Sequence, residues 1–236
     1  MTTTRPALIA LAAVLSIGGL VLAAPRFLVE ELDRRAGEVL FSLDATRPVL
    51  ALTIDDGPSR HTGEILDLLD AHGVEATFFL IGERVRARPD VVRRIVAEGH
   101  EIANHAMEDR TSVLLGEEEF ERRLLDADRI LSRFDEPEWF RPGGGWFDGG
   151  MVRRARRAGY RVALGSMLPI DAWLPVAPVV AEYVEYHARP GAILILHDGP
   201  DRGAKTVEVL RELLPALERK GLDATTLSGV VGATEG

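Results

Sequence analysis

"VLALTIDDGPS", residues 49–59, decides how the rest of the chain is read. Val49 to Ile54 carry no charge and are rich in β-branched and aliphatic side chains, as a strand buried on both faces requires. The run stops at two adjacent carboxylates, Asp55 and Asp56, followed by the turn formers Gly57, Pro58 and Ser59. Neighbouring carboxylates at the end of a buried strand repel each other and resist desolvation. Either they sit in a simple surface turn, or something else at that strand end compensates them.

Moving outward, strand-like and helix-like stretches alternate. Strands are expected at 49–55, 76–82, 100–105, 139–143, 161–167 and 192–198, with 223–231 closing the series. Helices are expected between them at 61–72, 90–98, 117–134, 151–158, 176–188 and 204–220, the last with Pro215 as the place for a kink. Seven strands joined through helices by short loops indicate an α/β fold with a parallel sheet covered by helices. A closed or nearly closed barrel is the leading architecture, and a doubly wound open sheet is the alternative. Neither an internal repeat nor a second-domain boundary is visible.

The chain has 236 residues, is 46% hydrophobic, contains no cysteine and carries a formal net charge of −9. Disulfides and thiolate metal sites are therefore excluded. Without a basic stripe, nucleic acid is not an expected partner. At the N-terminus, Arg5 precedes eighteen uncharged residues, Ala7 to Ala24, the layout of an export signal or membrane anchor. Cleavage after Ala23 or Ala24 is one outcome and a retained anchor the other. Residues 1–24 are expected as the leader, 25–47 as a stalk or edge helix, and 48–231 as one exported, acidic, monomeric domain.

The polar residues fall at the strand ends. Asp55 and Asp56 end the first strand, His105 the third, Arg141 the fourth, and His197 with Asp198 the sixth; Asp171 follows the fifth. Carboxyl ends of parallel strands form the catalytic face of a barrel or the crevice of an open sheet. Turn chemistry accounts for each aspartate singly but not for this convergence.

These residues resemble a family. TIDDGP at 53–58, the Asn104-His105 pair, the RPGGG run from Arg141 and the Leu196-His197 pair are similar to the polysaccharide deacetylases of carbohydrate esterase family 4, over about residues 48–231. The resemblance implies a distorted (β/α) barrel of about seven parallel strands. The implied activity is metal-dependent removal of an acetyl group from an N-acetylated sugar in a glycan. It implies Asp55 as general base, Asp56 and His105 as ligands of one divalent metal, and Arg141 as the partner that orients the base. It further implies His197 as the acid for the leaving amine, Asp171 as the carboxylate that holds that histidine, and the Gly144 N–H as oxyanion donor. The metal is expected to be zinc, with manganese, cobalt or magnesium as alternatives.

Three departures matter. Where the family has a second histidine four residues after the first, this chain has Asp109. A helical turn would put Asp109 on the same face as His105, and a carboxylate can still ligate the ion, so Asp109 is expected as the third ligand; pairing with Arg110 is the alternative. Ala172 separates Asp171 from Trp173, which leaves Asp198 as a fallback partner for His197. Gly144 stands where the family places an aromatic ring, and Trp146 is either its replacement or core packing. His61 and His100 are read as solvated and structural residues. Competing functions are a carbohydrate-binding protein with decayed catalysis and a hydrolase of another C–N or O-acetyl bond.

Overall fold

The computed structural model describes residues 38–167 and 176–234. The leader, most of the stalk and Asp171 lie outside the described residues. Eight strands pair in one parallel sheet: β1 (Val39–Leu40), β2 (Val49–Gly57), β3 (Thr77–Leu80), β4 (Glu101–Asn104), β5 (Trp139–Phe140), β6 (Arg161–Ala163), β7 (Ile193–His197) and β8 (Asp223–Thr225). Their order is β1-β6-β5-β4-β3-β2-β7, with β8 also on β2. Bridges Ser42–Ala192 and Met167–Leu194 carry the β1 and β6 side round to β7. The sheet therefore curls almost into a closed barrel, with irregular seams where the resemblance implied distortion.

The helices are α1 (Thr62–Ala71), α2 (Gly82–Ala87), α3 (Pro89–Ala97), α4 (Glu117–Leu131), α5 (Gly149–Arg157), α6 (Ala177–His187), α7 (Gly203–Lys220) and α8 (Leu227–Thr234). Pro215 lies within α7. Among the described residues no helix is long and apolar enough to cross a membrane.

Alternation along the strands builds two cores. Leu50, Leu52, Ile54, Phe78, Leu80 and Ile102 face outward and pack under the helices. Val49, Ala51, Phe79, Ala103, Ala163 and Ile193 face the lumen. Trp139, Leu227 and Val230 join this inner cluster, so α8 plugs one end of the barrel. Trp139 Nε1 donates to Ser228 Oγ on that plug at 2.9 Å. The opposite end, at the strand carboxyl termini, is left to polar groups.

Several sequence expectations need correction. β1 and buried Phe41 belong to the barrel, so the stalk reading fails from residue 39 onward. Residues 227–234 form α8 rather than continuing the last strand, which lasts only three residues. Gly82 opens α2 instead of ending β3; its position against Ala127 leaves little room for a Cβ.

Candidate active site

Alternation also sorts the polar residues. On β2, Thr53 and Asp55 continue the inward row of Val49 and Ala51, while Ile54 faces the helices. Asp56 should then point outward. It does not, because the β2–β3 register shifts between Asp55 and Gly57, and Asp56 takes a left-handed φ of +67°. This bulge turns two successive carboxylates to one side, and aspartate tolerates that conformation better than most residues. Both are buried, at 3% and 4% exposure.

Arg141 compensates Asp55. It follows β5 and is 1% exposed. Its Nη1 donates to Asp55 Oδ1 at 2.5 Å and to Thr53 Oγ1 at 2.8 Å. Nε and Nη2 donate to the carbonyls of Ala163 and Leu164 at 3.2 and 3.0 Å. The guanidinium lies over the Phe79 ring at 3.9 Å. The small lumen residues Ala51, Ala103 and Ala163 leave it this space.

His105 sits beyond β4, on the inward row of Ala103. Its Nδ1 lies 2.7 Å from the Arg141 carbonyl. A carbonyl only accepts, so Nδ1 carries the proton and Nε2 faces the carboxylates. Nε2 is 3.4 Å from Asp56 Oδ1 and 3.9 Å from Asp55 Oδ2. Burial alone would lift the Asp56 carboxyl, but the hydrogen bond and charge of His105, with His197 and Arg202, hold it well below the usual carboxylate range. Burial works to lower the His105 imidazole; the charges of Asp55 and Asp56 win and raise it.

His197 ends β7 directly opposite Asp55 in the pairing register. It is half-buried, and its carbonyl accepts from Thr206 Oγ1 at 2.6 Å. Asp198 is not its partner. One residue further on, its side chain passes to the other face of the sheet. There it accepts from Ser59 Oγ at 2.6 Å and from the Thr62 hydroxyl, at the start of α1. Burial pushes the Asp198 carboxyl upward despite those donors.

Asp109 is arranged differently from the expectation. Residues 107–110 form bends, not a helical turn. Ala106 adopts φ +65°, with its N–H held by Asn104 Oδ1 at 2.8 Å. Asp109 is 53% exposed and pairs with Arg84 Nη2 at 3.0 Å, while Arg110 pairs with Glu108. Arg84 Nη1 donates to the Asp56 carbonyl at 2.5 Å, so one guanidinium spans both loops.

A divalent ion fits part of this set. Ligand atoms around a tetrahedral ion with bonds of about 2.1 Å lie roughly 3.4 Å apart, which matches the Nε2–Oδ1 separation of 3.4 Å. An imidazole with fixed tautomer beside an ionised carboxylate is a suitable donor pair. Among the described residues no group of three His, Asp or Glu side chains converges on one point.

Gly144 is exposed, with φ +75°, and an added Cβ would meet Thr111 Oγ1 at 3.2 Å. Glycine therefore suits this loop and an aromatic residue would strain it. The neighbouring N–H groups are committed, Gly143 to Ser112 Oγ and Gly145 to the Pro142 carbonyl. Trp146 is 69% exposed and does not pack in the core. His100 lies at the opposite end of β4, where its Nδ1 accepts from Ala76 N–H at 3.2 Å.

The sequence reading missed two arginines. Arg84 lies on α2, whose first residue was assigned to a strand. Arg202 precedes α7 and donates from Nη1 to Asp56 Oδ2 at 3.1 Å. Its position just past β7, at the catalytic end, was a usable signal.

Comparison with known proteins identifies the family and the fold. A model of the family described as polysaccharide deacetylase matches residues 42–163, just over half the chain. A peptidoglycan-N-acetylglucosamine deacetylase of Bacillus cereus is 35% identical over 196 residues, covering 81% of this chain and 92% of that protein. A chitooligosaccharide deacetylase of Sinorhizobium fredii is 38% identical over 190 residues, covering 74% and 87%. Among solved structures, a peptidoglycan N-acetylglucosamine deacetylase bound to a naphthyl N-hydroxybenzamide superposes with a TM-score of 0.79 at 29% identity, covering 84% and 95%. A mutant with restored enzymatic activity of a pseudoenzyme from carbohydrate esterase family 4 superposes with a TM-score of 0.75 at 25% identity, covering 82% and 71%. On the family match and these relatives, the chain belongs to the polysaccharide deacetylases and is a hydrolase of the amide C–N bond.

Proposed function

We propose that the protein is a metal-dependent N-deacetylase of an N-acetylhexosamine-containing glycan located outside the cytoplasm. The observation that carries this reading is the buried cluster in which Arg141 holds Asp55 while His105 Nε2 faces Asp56. Asp56 and His105 would hold the ion. Asp109 would complete the site by exchanging Arg84 for it. When bound, a divalent ion polarises the acetamide carbonyl and lowers the pKa of water from about 16 towards 7.

The chain's own groups supply the rest. Asp55, fixed by Arg141, takes one proton from the attacking water, a contribution on the order of 10²–10⁴-fold. The Gly144 N–H donates to the developing oxyanion. His197, on the neighbouring strand, gives a proton to the nitrogen as the C–N bond breaks. The products are acetate and a free amine. Asp171 is proposed to hold the His197 tautomer. The relatives named as acting on peptidoglycan and on chitooligosaccharides support a glycan substrate. A leader at residues 7–24 that exports the domain, cleaved or retained, is the matching proposal for location.

The test is acetate release from peptidoglycan and from chitooligosaccharides, with and without chelator. Release that chelator abolishes and zinc restores is the expected result. The Arg84–Asp109 pair favours one second reading, a binding protein with decayed catalysis. Glycan binding with no acetate released under any metal would establish that reading instead.

A further inference from the structure

Among the described residues, three carboxylates, Asp55, Asp56 and Asp109, lie at the mouth of the barrel, and three arginines pair with them. Arg141 is buried with every nitrogen bonded. Arg84 has both terminal nitrogens committed, to the Asp56 carbonyl and to Asp109. Arg202 differs. Its Nη1 is given to Asp56 Oδ2, but among the described residues Nε and Nη2 have no acceptor, and the side chain is 44% exposed. Those two N–H groups form the side-on edge of the guanidinium, the fork that matches a carboxylate with two parallel hydrogen bonds.

The base of this fork is fixed. Arg202 N–H donates to the Gly199 carbonyl at 2.9 Å, and its own carbonyl accepts from Thr206 N–H at 3.1 Å in the first turn of α7. An added Cβ on Gly199 would lie 3.7 Å from Asp56 Oδ2 and 4.0 Å from Arg84 Nη1, so this loop is packed against the site. The molecule as a whole carries −9, which repels an anionic substrate unless a local cation receives it.

We infer that Arg202 reads a carboxylate on the substrate, so that the preferred glycan carries an acidic group on or beside the N-acetylated residue. The inference rests on the deacetylase reading and narrows its substrate class. Arg202 is then a specificity-determining residue, with one edge on Asp56 and the other on the substrate.

The experiment uses peptide-free peptidoglycan strands, whose lactyl groups end in carboxylates, the same strands with those carboxylates reduced to alcohols, and neutral chitooligosaccharides. Binding is measured by calorimetry in chelator, and acetate release is measured separately with zinc. The wild-type chain should bind the carboxylate strands about tenfold more tightly than the reduced ones, equivalent to roughly 1.4 kcal/mol. Arg202→Gln should collapse that ratio to near one, and Arg202→Lys, which keeps charge but not the fork, should retain only part of it. No preference in the wild type, a ratio unchanged in Arg202→Gln, or an equal loss on all three glycans would overturn the inference. If no glycan releases acetate but the binding preference is present and is lost in Arg202→Gln, the deacetylase reading falls and the carboxylate site stands.

Discussion

Replacing Arg141 by Met should be among the most destabilising single changes available to the chain. Methionine fills much of the vacated volume and keeps contact with Phe79, so cavity formation contributes little. The loss lies in the polar groups left behind. Asp55, 3% exposed, would lose its guanidinium partner, and breaking one side of a buried ion pair costs about 3–5 kcal/mol. Two carbonyls, Ala163 and Leu164, would lose their guanidinium donors, adding on the order of 1 kcal/mol. A total of about 4–6 kcal/mol is a large part of the 5–15 kcal/mol by which domains are usually stable.

Urea unfolding, followed by the fluorescence of buried Trp139, reads this directly. With a slope of roughly 2–3 kcal/mol per molar, the midpoint should fall by about 2 M. The double variant Asp55→Asn/Arg141→Met removes both charges and should recover at least about 2 kcal/mol relative to Arg141→Met alone. A midpoint within error of wild type, or a double variant no more stable than the single one, would refute the view that Arg141 exists to carry Asp55.

Asp55→Asn should leave the chain folded but reduce acetate release by about 10²–10⁴-fold; near wild-type turnover in the purified variant would remove Asp55 as the base. Asp109→Ala should lower zinc stoichiometry measured by elemental analysis, and Asp109→His should retain metal; if Asp109 serves only its surface pair with Arg84, Asp109→Ala will change stability by roughly 0–1 kcal/mol and leave metal content alone. His100, whose imidazole burial holds below its ordinary value, takes up a proton less readily in the fold than in the unfolded chain. Its contribution is therefore present above about pH 6.5 and is lost as pH falls below it. Thermal melts from pH 8 to 5 should flatten in His100→Gln, and an unchanged slope would exclude His100 as the cause.

Much of the fold was legible because its signals are local and periodic. The strand at 49–57 and the helices after it carry uninterrupted patterns, and the position of His105, Arg141 and His197 at strand ends follows from counting. What escaped was set by tertiary context. β1 is two residues long and gains its partner only from β6, far along the chain. The segment after Thr225 has strand-like composition, yet α8 forms because its apolar side seals the barrel floor. The distance of four between His105 and Asp109 suggested a helical turn, but Asn104 captures the Ala106 N–H and turns the chain another way. No local pattern announces that bond. The opening difficulty of two adjacent carboxylates is answered by a bulge and two arginines distant in sequence.

Stability alone does not account for this arrangement. A buried Arg–carboxylate pair can generally be replaced by apolar side chains of similar volume with no loss of stability, because desolvating both ions costs as much as their attraction returns. Asp56 adds a left-handed backbone to that cost. If the barrel served only to present a glycan-binding surface, an apolar lumen would serve as well or better. The Arg141–Asp55 pair makes physical sense where a carboxylate must stay ionised, fixed in direction and partly withheld from water, which are the requirements of a general base. The change at position 109 leaves those requirements untouched. On the proposed function, Asp109 would take the third position around the ion in exchange for its pair with Arg84, so its consequence is expected in metal affinity and metal choice before it is expected in the hydrolytic machinery.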